Sequence, residues 1–169
     1  VTIIYEQLLR QAGLVPDQLR AAARADRYRW RAVRQPQGLE AFTARMEAAR
    51  QHLDALSAAL DRLPTTGWPG PEPLLEIREN PRLMRSALAE LRTVRRKLRR
   101  LPLAVTDDHQ AEPRTATVAT VYLAAAGSVW NADALRIYLG ELQKPEALLL
   151  EELWILPVMI RFRLLELVL

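Results

Sequence analysis

The chain contains no cysteine, which removes disulfide frameworks, thiolate metal centres and cysteine nucleophiles from consideration and fits a reducing compartment. Histidine is almost as scarce, with only His52 and His109. There is no glycine-rich phosphate loop, no nucleophile elbow and no serine with a matching base. Long apolar runs are also missing. The most membrane-like stretch, residues 153–160, is hemmed in by Glu151, Glu152, Arg161 and Arg163, whereas a spanning helix needs about 20 apolar residues. It reads as a buried helix. No basic leader with an apolar stretch and a small-residue cleavage site opens the sequence. Sustained period-two alternation and repeats of about 20 to 50 residues are absent as well.

What is present favours helices. Half of the 169 residues are hydrophobic and only 6 are glycine, so the chain can bury one continuous core, and its 11 prolines read as punctuation between helices. The net charge of +4 comes mostly from arginine and is compatible with an anionic partner, although an Arg-rich solvated surface is the simpler account of it. The chain starts at Val1 without a methionine and ends inside an apolar pattern at Leu167, Val168 and Leu169, so we expect a piece of a longer protein.

The first helix is expected over residues 2–12, stopped by Gly13 and Pro16. Asp17 opens a second, with Leu19, Ala23, Trp30 and Val33 on one face. Beside that face, Arg20, Arg24, Arg27, Arg31 and Arg34 form a basic stripe, with Tyr28 and Trp30 interleaved. Pro36 and Gly38 precede the clearest amphipathic helix, 39–63, whose inward face is Leu39, Phe42, Met46, Leu53, Leu56, Leu60 and Leu63. Residues 64–73 hold four prolines and two glycines, too many for a regular element. A fourth helix follows, with a kink expected at Pro81, Met84, Leu88, Leu91, Leu98 and Leu101 inward, and an end at Pro102. The polar stretch 103–114 reads as a loop. Residues 115–126 form a short helix whose small side chains permit close packing. Asn131 is expected to cap a helix running through Leu135, Tyr138 and Leu142, and Pro145 with Glu146 to start the last helix.

The candidate chemistry is thin. Arg92, Arg95, Arg96, Lys97, Arg99 and Arg100, backed by Arg82 and Arg85, make the densest cationic run; it could meet phosphates on lipid or nucleic acid, but no nucleic-acid motif accompanies it. Asp107, Asp108 and His109 offer adjacent oxygen and nitrogen ligands, yet neighbours in one loop rarely converge on one ion, and His52 belongs to a distant helix. Glu151, Glu152 and Glu166 are better suited to ion pairing than to general acid or base work. From the residues alone we assign no catalytic, cofactor-binding or metal-binding residue.

The segment Glu152-Leu153-Trp154-Ile155-Leu156-Pro157, followed by Met159-Ile160-Arg161 and Leu164-Leu165-Glu166, resembles the bacterial cyclic β-1,2-glucan synthase family, which carries an E-L-W-x-L-P signature. Upstream, Glu79-Asn80, Leu83-Met84, Leu88 and Glu90-Leu91-Arg92 are similar to a family stretch of a D-N pair, an apolar pair and E-I-R. Arg99 to Pro102 is similar to its R-x-L-P ending, and Ala134-Leu135-Arg136 with Tyr138, Leu139, Leu142 and Gln143 to its next helix. The family's tryptophan before D-N and its tyrosine pair before R-x-L-P are missing, and Glu151 replaces a common glycine. The similarity covers roughly residues 75–169.

The resemblance implies a multi-domain bacterial inner-membrane glycosyltransferase that polymerises glucose from UDP-glucose, with this segment preceding the transferase domain on the cytoplasmic side and carrying none of its catalytic residues. The fold expected is all-α, a bundle of about six to seven helices, divided into a subregion at 1–63, a hinge at 64–73 and a subregion at 74–169. Its role would be docking against the remaining domains of the parent chain or holding it at the membrane. Within the signature, Trp154 is expected to be buried and Pro157 to kink or loosen its helix. The alternative is a stand-alone Arg-rich module that binds an anionic protein, membrane surface or nucleic acid, the last being least favoured.

Overall fold

The computed structural model describes residues 9, 10, 12–27, 39–62, 79–105 and 111–169. Within them are six helices and one small hairpin: α1 (Pro16–Arg27), α2 (Leu39–Asp61), α3 (Pro81–Leu98), β1 (Leu103–Val105), β2 (Ala111–Pro113), α4 (Arg114–Ala125), α5 (Ala132–Leu142) and α6 (Leu150–Val168). The mostly helical architecture agrees with the all-α reading. The expected loop at 103–114 needs correction, because β1 and β2 pair antiparallel with Ala104 opposite Glu112. Strands of three residues are too short for alternation to show in sequence. The 64–73 hinge, Trp30, Val33, Leu63 and the 107–109 cluster lie outside the described residues, as does most of the 2–12 helix.

The helix ends follow local chemistry. Before α1 the chain turns at Gly13, whose φ of +76° suits a residue without Cβ. Its N–H donates to the Arg10 carbonyl and the Leu14 N–H to the Leu9 carbonyl, the paired bonds of a Schellman stop, with Leu9 and Leu14 both buried as its apolar contact. Pro81 stands at the first turn of α3 and so starts the helix without kinking it, since its missing N–H would have no intrahelical partner there. Asn131 caps α5 as expected, its Oδ1 accepting the N–H groups of Asp133 and Ala134 at 3.0 and 2.9 Å.

The last helix begins later than the Pro145 signal suggests. Residues 143–146 turn instead, with the Leu148 N–H donating to Gln143 Oε1 and Glu146 drawn to Arg114. The α6 helix then runs unbroken through Pro157, which is exposed. The expected burial of Trp154 is also corrected: it is 76 % exposed. Helical periodicity explains this, because Glu152, Ile155, Leu156, Met159 and Phe162 face the core. Leu150, Trp154, Pro157 and Arg161, spaced by four, three and four, share the opposite row.

One core joins helices from both sides of the 64–73 segment. The most extensive packing is of α1 on α5 and of α4 on α6, with α1 also against α4, α3 against α6, and α2 against α3 and β2. Small side chains at Ala116 and Ala119 let α4 lie between α1 and α6. Phe42 of α2 meets Phe162 of α6 edge-on at 5.8 Å, and Tyr122 meets Tyr138 in the same way across α4 and α5, geometries that aromatic quadrupoles favour.

Candidate functional site

Two ion-pair clusters, one cationic surface and one mainly apolar groove stand out among the described residues. The first cluster is built on Glu152 of the E-L-W-x-L-P signature, which is fully buried at the start of α6. Its oxygens accept from Arg114 Nε at 2.9 Å and Arg114 Nη2 at 2.6 Å, and Oε2 also accepts the Leu149 N–H at 2.8 Å. One side chain thus satisfies an orphan donor at the mouth of α6 and neutralises an arginine on α4. Arg114 reaches Glu146 as well. Burial opposes the charge on Arg114, but its hydrogen bonds to Glu152 and Glu146 outweigh that and raise its pKa.

The second cluster ties β2, α2 and α6 together. Glu112 accepts from Arg163 Nη2 at 2.7 Å and Arg45 Nη1 at 3.2 Å, while Glu166 accepts from Arg45 Nη2 at 3.0 Å and Arg163 Nη1 at 2.7 Å. Burial pushes the Glu112 carboxyl up to about 7, with the Arg45 charge pulling the other way. Burial raises Glu166 too. Elsewhere, Tyr138 donates to buried Asp26 at 2.8 Å, joining α5 to α1.

Of the cationic stripe expected at residues 20–34, only Arg20, Arg24 and Arg27 lie among the described residues. Arg20 pairs with Asp17 within α1, and Arg24 crosses to Glu141 of α5 at 3.2 Å. Arg27 is the last residue of α1, and Arg31 and Arg34 lie outside the described residues. By contrast, Arg92, Arg95, Arg96, Lys97, Arg99 and Arg100 are all exposed, and Arg82 is too. Arg85 donates to Ser57 of α2. In the signature, Leu153 is half-buried and Pro157 and Arg161 are exposed, and Arg161 pairs with Glu90 of α3.

The expectation that Glu151, Glu152 and Glu166 serve ion pairing holds for Glu152 and Glu166. Sequence reasoning missed Arg114, Glu112 and Arg163 as buried charges and Arg45 as their half-exposed partner. The available signal was a lone charge inside an otherwise apolar or small-residue helical pattern, as at Arg163 beside Phe162 and at Arg114 before Thr115 and Ala116.

The second exposed surface is a mainly apolar groove of about 460 Å³ between α3 and α6, lined by Leu83, Met84, Ala87, Leu164, Leu165 and Val168 together with Ser86 and the Glu90–Arg161 ion pair. Leu83 is 71 % exposed there. Among the described residues no cluster of three or more potential metal-binding side chains occurs, and no helix is long and apolar enough to cross a membrane. No protein-family model, no curated protein and no solved structure matches the chain.

Proposed function

We propose that the chain is a non-catalytic helical docking or scaffold segment of a membrane-associated cyclic β-1,2-glucan synthase, the parent enzyme transferring glucose from UDP-glucose to the growing β-1,2-glucan. In this reading the donor site belongs to another domain of the parent, and the segment lies on the cytoplasmic side of a bacterial inner membrane. The reading rests on the signature resemblance. The observation that carries the docking role is the open groove between α3 and α6, whose lining is mainly apolar, with Ser86 and the Glu90–Arg161 ion pair among its residues, and which leaves Leu83 and Val168 in water. Large apolar side chains gathered on a rigid helix pair are what a partner domain covers. The carboxylates and guanidinium groups of the two clusters pair with one another and tie α6 to α2, α4 and β2.

The coding sequence that follows the Leu169 codon tests the assignment directly. Spanning helices and a glycosyltransferase domain are expected; a stop codon or an unrelated domain would overturn it. Docking is tested by co-purifying the chain with the separately expressed remainder of the parent. Leu83→Asp with Leu164→Asp should abolish the association, and undiminished association would remove the groove from the interface.

A further inference from the structure

The exposed cations at the end of α3 exceed what the described part of the fold uses. Arg95, Arg96 and Lys97 occupy its last turn, and Arg99 and Arg100 follow immediately. A helix C-terminus presents the equivalent of about half a negative charge, so five cations overshoot that requirement several-fold. Carboxylates near α3 come from three sides. Glu40 and Glu47 of α2 line a cleft with Arg92, Arg95 and Arg99, Glu90 is held by Arg161, and Glu151 of α6 is exposed. At 100° per residue, Lys97 and Arg100 turn away from the α2 side and Arg96 stands at its margin, and no described carboxylate forms a salt bridge with them.

The packing of α3 on α6 supplies the second half of the surface. Glu90 pairs with Arg161, and Leu83 shares a groove with Val168, so the two helices run antiparallel. Lys97 is seven residues after Glu90, and Trp154 is seven before Arg161. Both therefore lie about 10 Å along the axis from that ion pair, at one level and on adjoining edges. Trp154 is 76 % exposed there, with Leu150 at 70 % and Leu149 at 51 % one turn further on. The apolar groove lies at the other end of the helix pair.

We infer that this end of the molecule, Arg96, Lys97 and Arg100 of the α3 terminus with Trp154 and Leu150 of α6, binds the surface of an anionic lipid bilayer. Guanidinium and ammonium groups meet lipid phosphates, and the indole with the neighbouring leucine enters the boundary between headgroups and acyl chains, where tryptophan is favoured. A nucleic-acid backbone satisfies only the cations and leaves Leu149 and Leu150 in water. The binding is peripheral and separable from the parent's identity, since it uses only side chains of this chain.

The test uses the 169-residue chain with vesicles of phosphatidylcholine, alone or with about one third phosphatidylglycerol. Binding is expected only to the mixed vesicles, weakening about tenfold or more as salt rises from about 50 to about 300 mM. Brominated acyl chains should quench tryptophan emission in the wild type, and Trp154→Phe should remove most of that quenching while leaving the circular dichroism unchanged. The triple variant Arg96→Gln, Lys97→Gln, Arg100→Gln should bind at least about tenfold more weakly. Equal binding to both vesicle types, no binding at low salt, quenching that survives Trp154→Phe, or tighter binding to duplex DNA than to the mixed vesicles would each overturn the inference. None of these outcomes depends on what the coding sequence holds beyond Leu169.

Discussion

Arg114 and Arg163 are at least nine-tenths buried, and each faces two carboxylates. Arg96, Lys97 and Arg100 instead stand in solvent with no described carboxylate in salt-bridge range. The same residue chemistry therefore serves the seam between α4, β2 and α6 as an internal tie and the end of α3 as an outward surface. Burial separates the two. A cation taken out of water must be matched by a carboxylate and hydrogen bonds, whereas an exposed one is screened and free to meet a partner. Substitutions in the two regions should accordingly differ by an order of magnitude in their effect on stability.

The largest effect is expected at Arg114. Arg114→Met leaves Glu152 charged and fully buried without its guanidinium, which should lower the unfolding free energy by about 3–5 kcal/mol, measured by urea denaturation. The double variant Arg114→Met, Glu152→Met removes both charges and should recover more than half of that loss. If the single variant were as stable as the wild type, the seam would not be the structural half of the comparison.

Glu112 comes next and gives the seam a pH signature. Its carboxyl is raised from 4.5 to about 7 in the folded chain, so between those values the folded state holds a proton that the unfolded state releases. Stability from this group is fully present below pH 4.5 and declines as pH rises to about 7. Glutamine stands in for the protonated carboxyl at every pH, so wild type and Glu112→Gln should be close in stability at the acid end, and the wild type should fall behind by about 3 kcal/mol across that window. Denaturation midpoints for both proteins at pH 4.5, 6 and 7.5 check this, and a constant difference would mean that Glu112 titrates normally.

How legible these regions were in sequence follows from the same division. Helix-period patterns located α2, α3, α5 and the body of α6, because each buries one continuous apolar row, and Asn131 announced its cap through its own side chain. The hairpin escaped because three-residue strands carry no usable period, and its inward partner, Glu112, looked like one more acid in a polar stretch. Trp154 misled for a related reason. Its place in the signature suggested burial, yet it lies four residues after Leu150 and three before Pro157, and that row as a whole faces out. The six exposed cations from Arg92 to Arg100 were plain in sequence, whereas the ties of Arg45 and Arg114, and of Arg163 to Glu112, depend on contacts 32 to 121 residues apart, which local spacing cannot reveal.

A smaller effect is expected at the α5 cap, which lies in neither region. Asn131→Ala removes the acceptor for two first-turn N–H groups and should lower stability by about 1 kcal/mol, while Asn131→Ser should retain most of it. The hydrogen bond from Tyr122 to the Asn131 backbone carbonyl at 2.9 Å survives either change, so the loss reports the cap alone. Thermal denaturation of the two variants separates these outcomes.

The smallest effect should come from the α3 terminus, where two terms oppose each other. Replacing Arg96, Lys97 and Arg100 with glutamine removes favourable charge–dipole interactions worth about 0.3–1 kcal/mol each at low salt. It also relieves repulsion among five cations crowded into six residues, and like charges one turn apart destabilise a helix by roughly 0.2–0.5 kcal/mol per pair. The terms nearly cancel, and salt screens both, so the triple variant should unfold within about 0.5 kcal/mol of the wild type and shift little between low and high salt. A loss above about 1 kcal/mol would place these cations with Arg114 and Arg163 as structural ties, and the contrast between the two regions would fail.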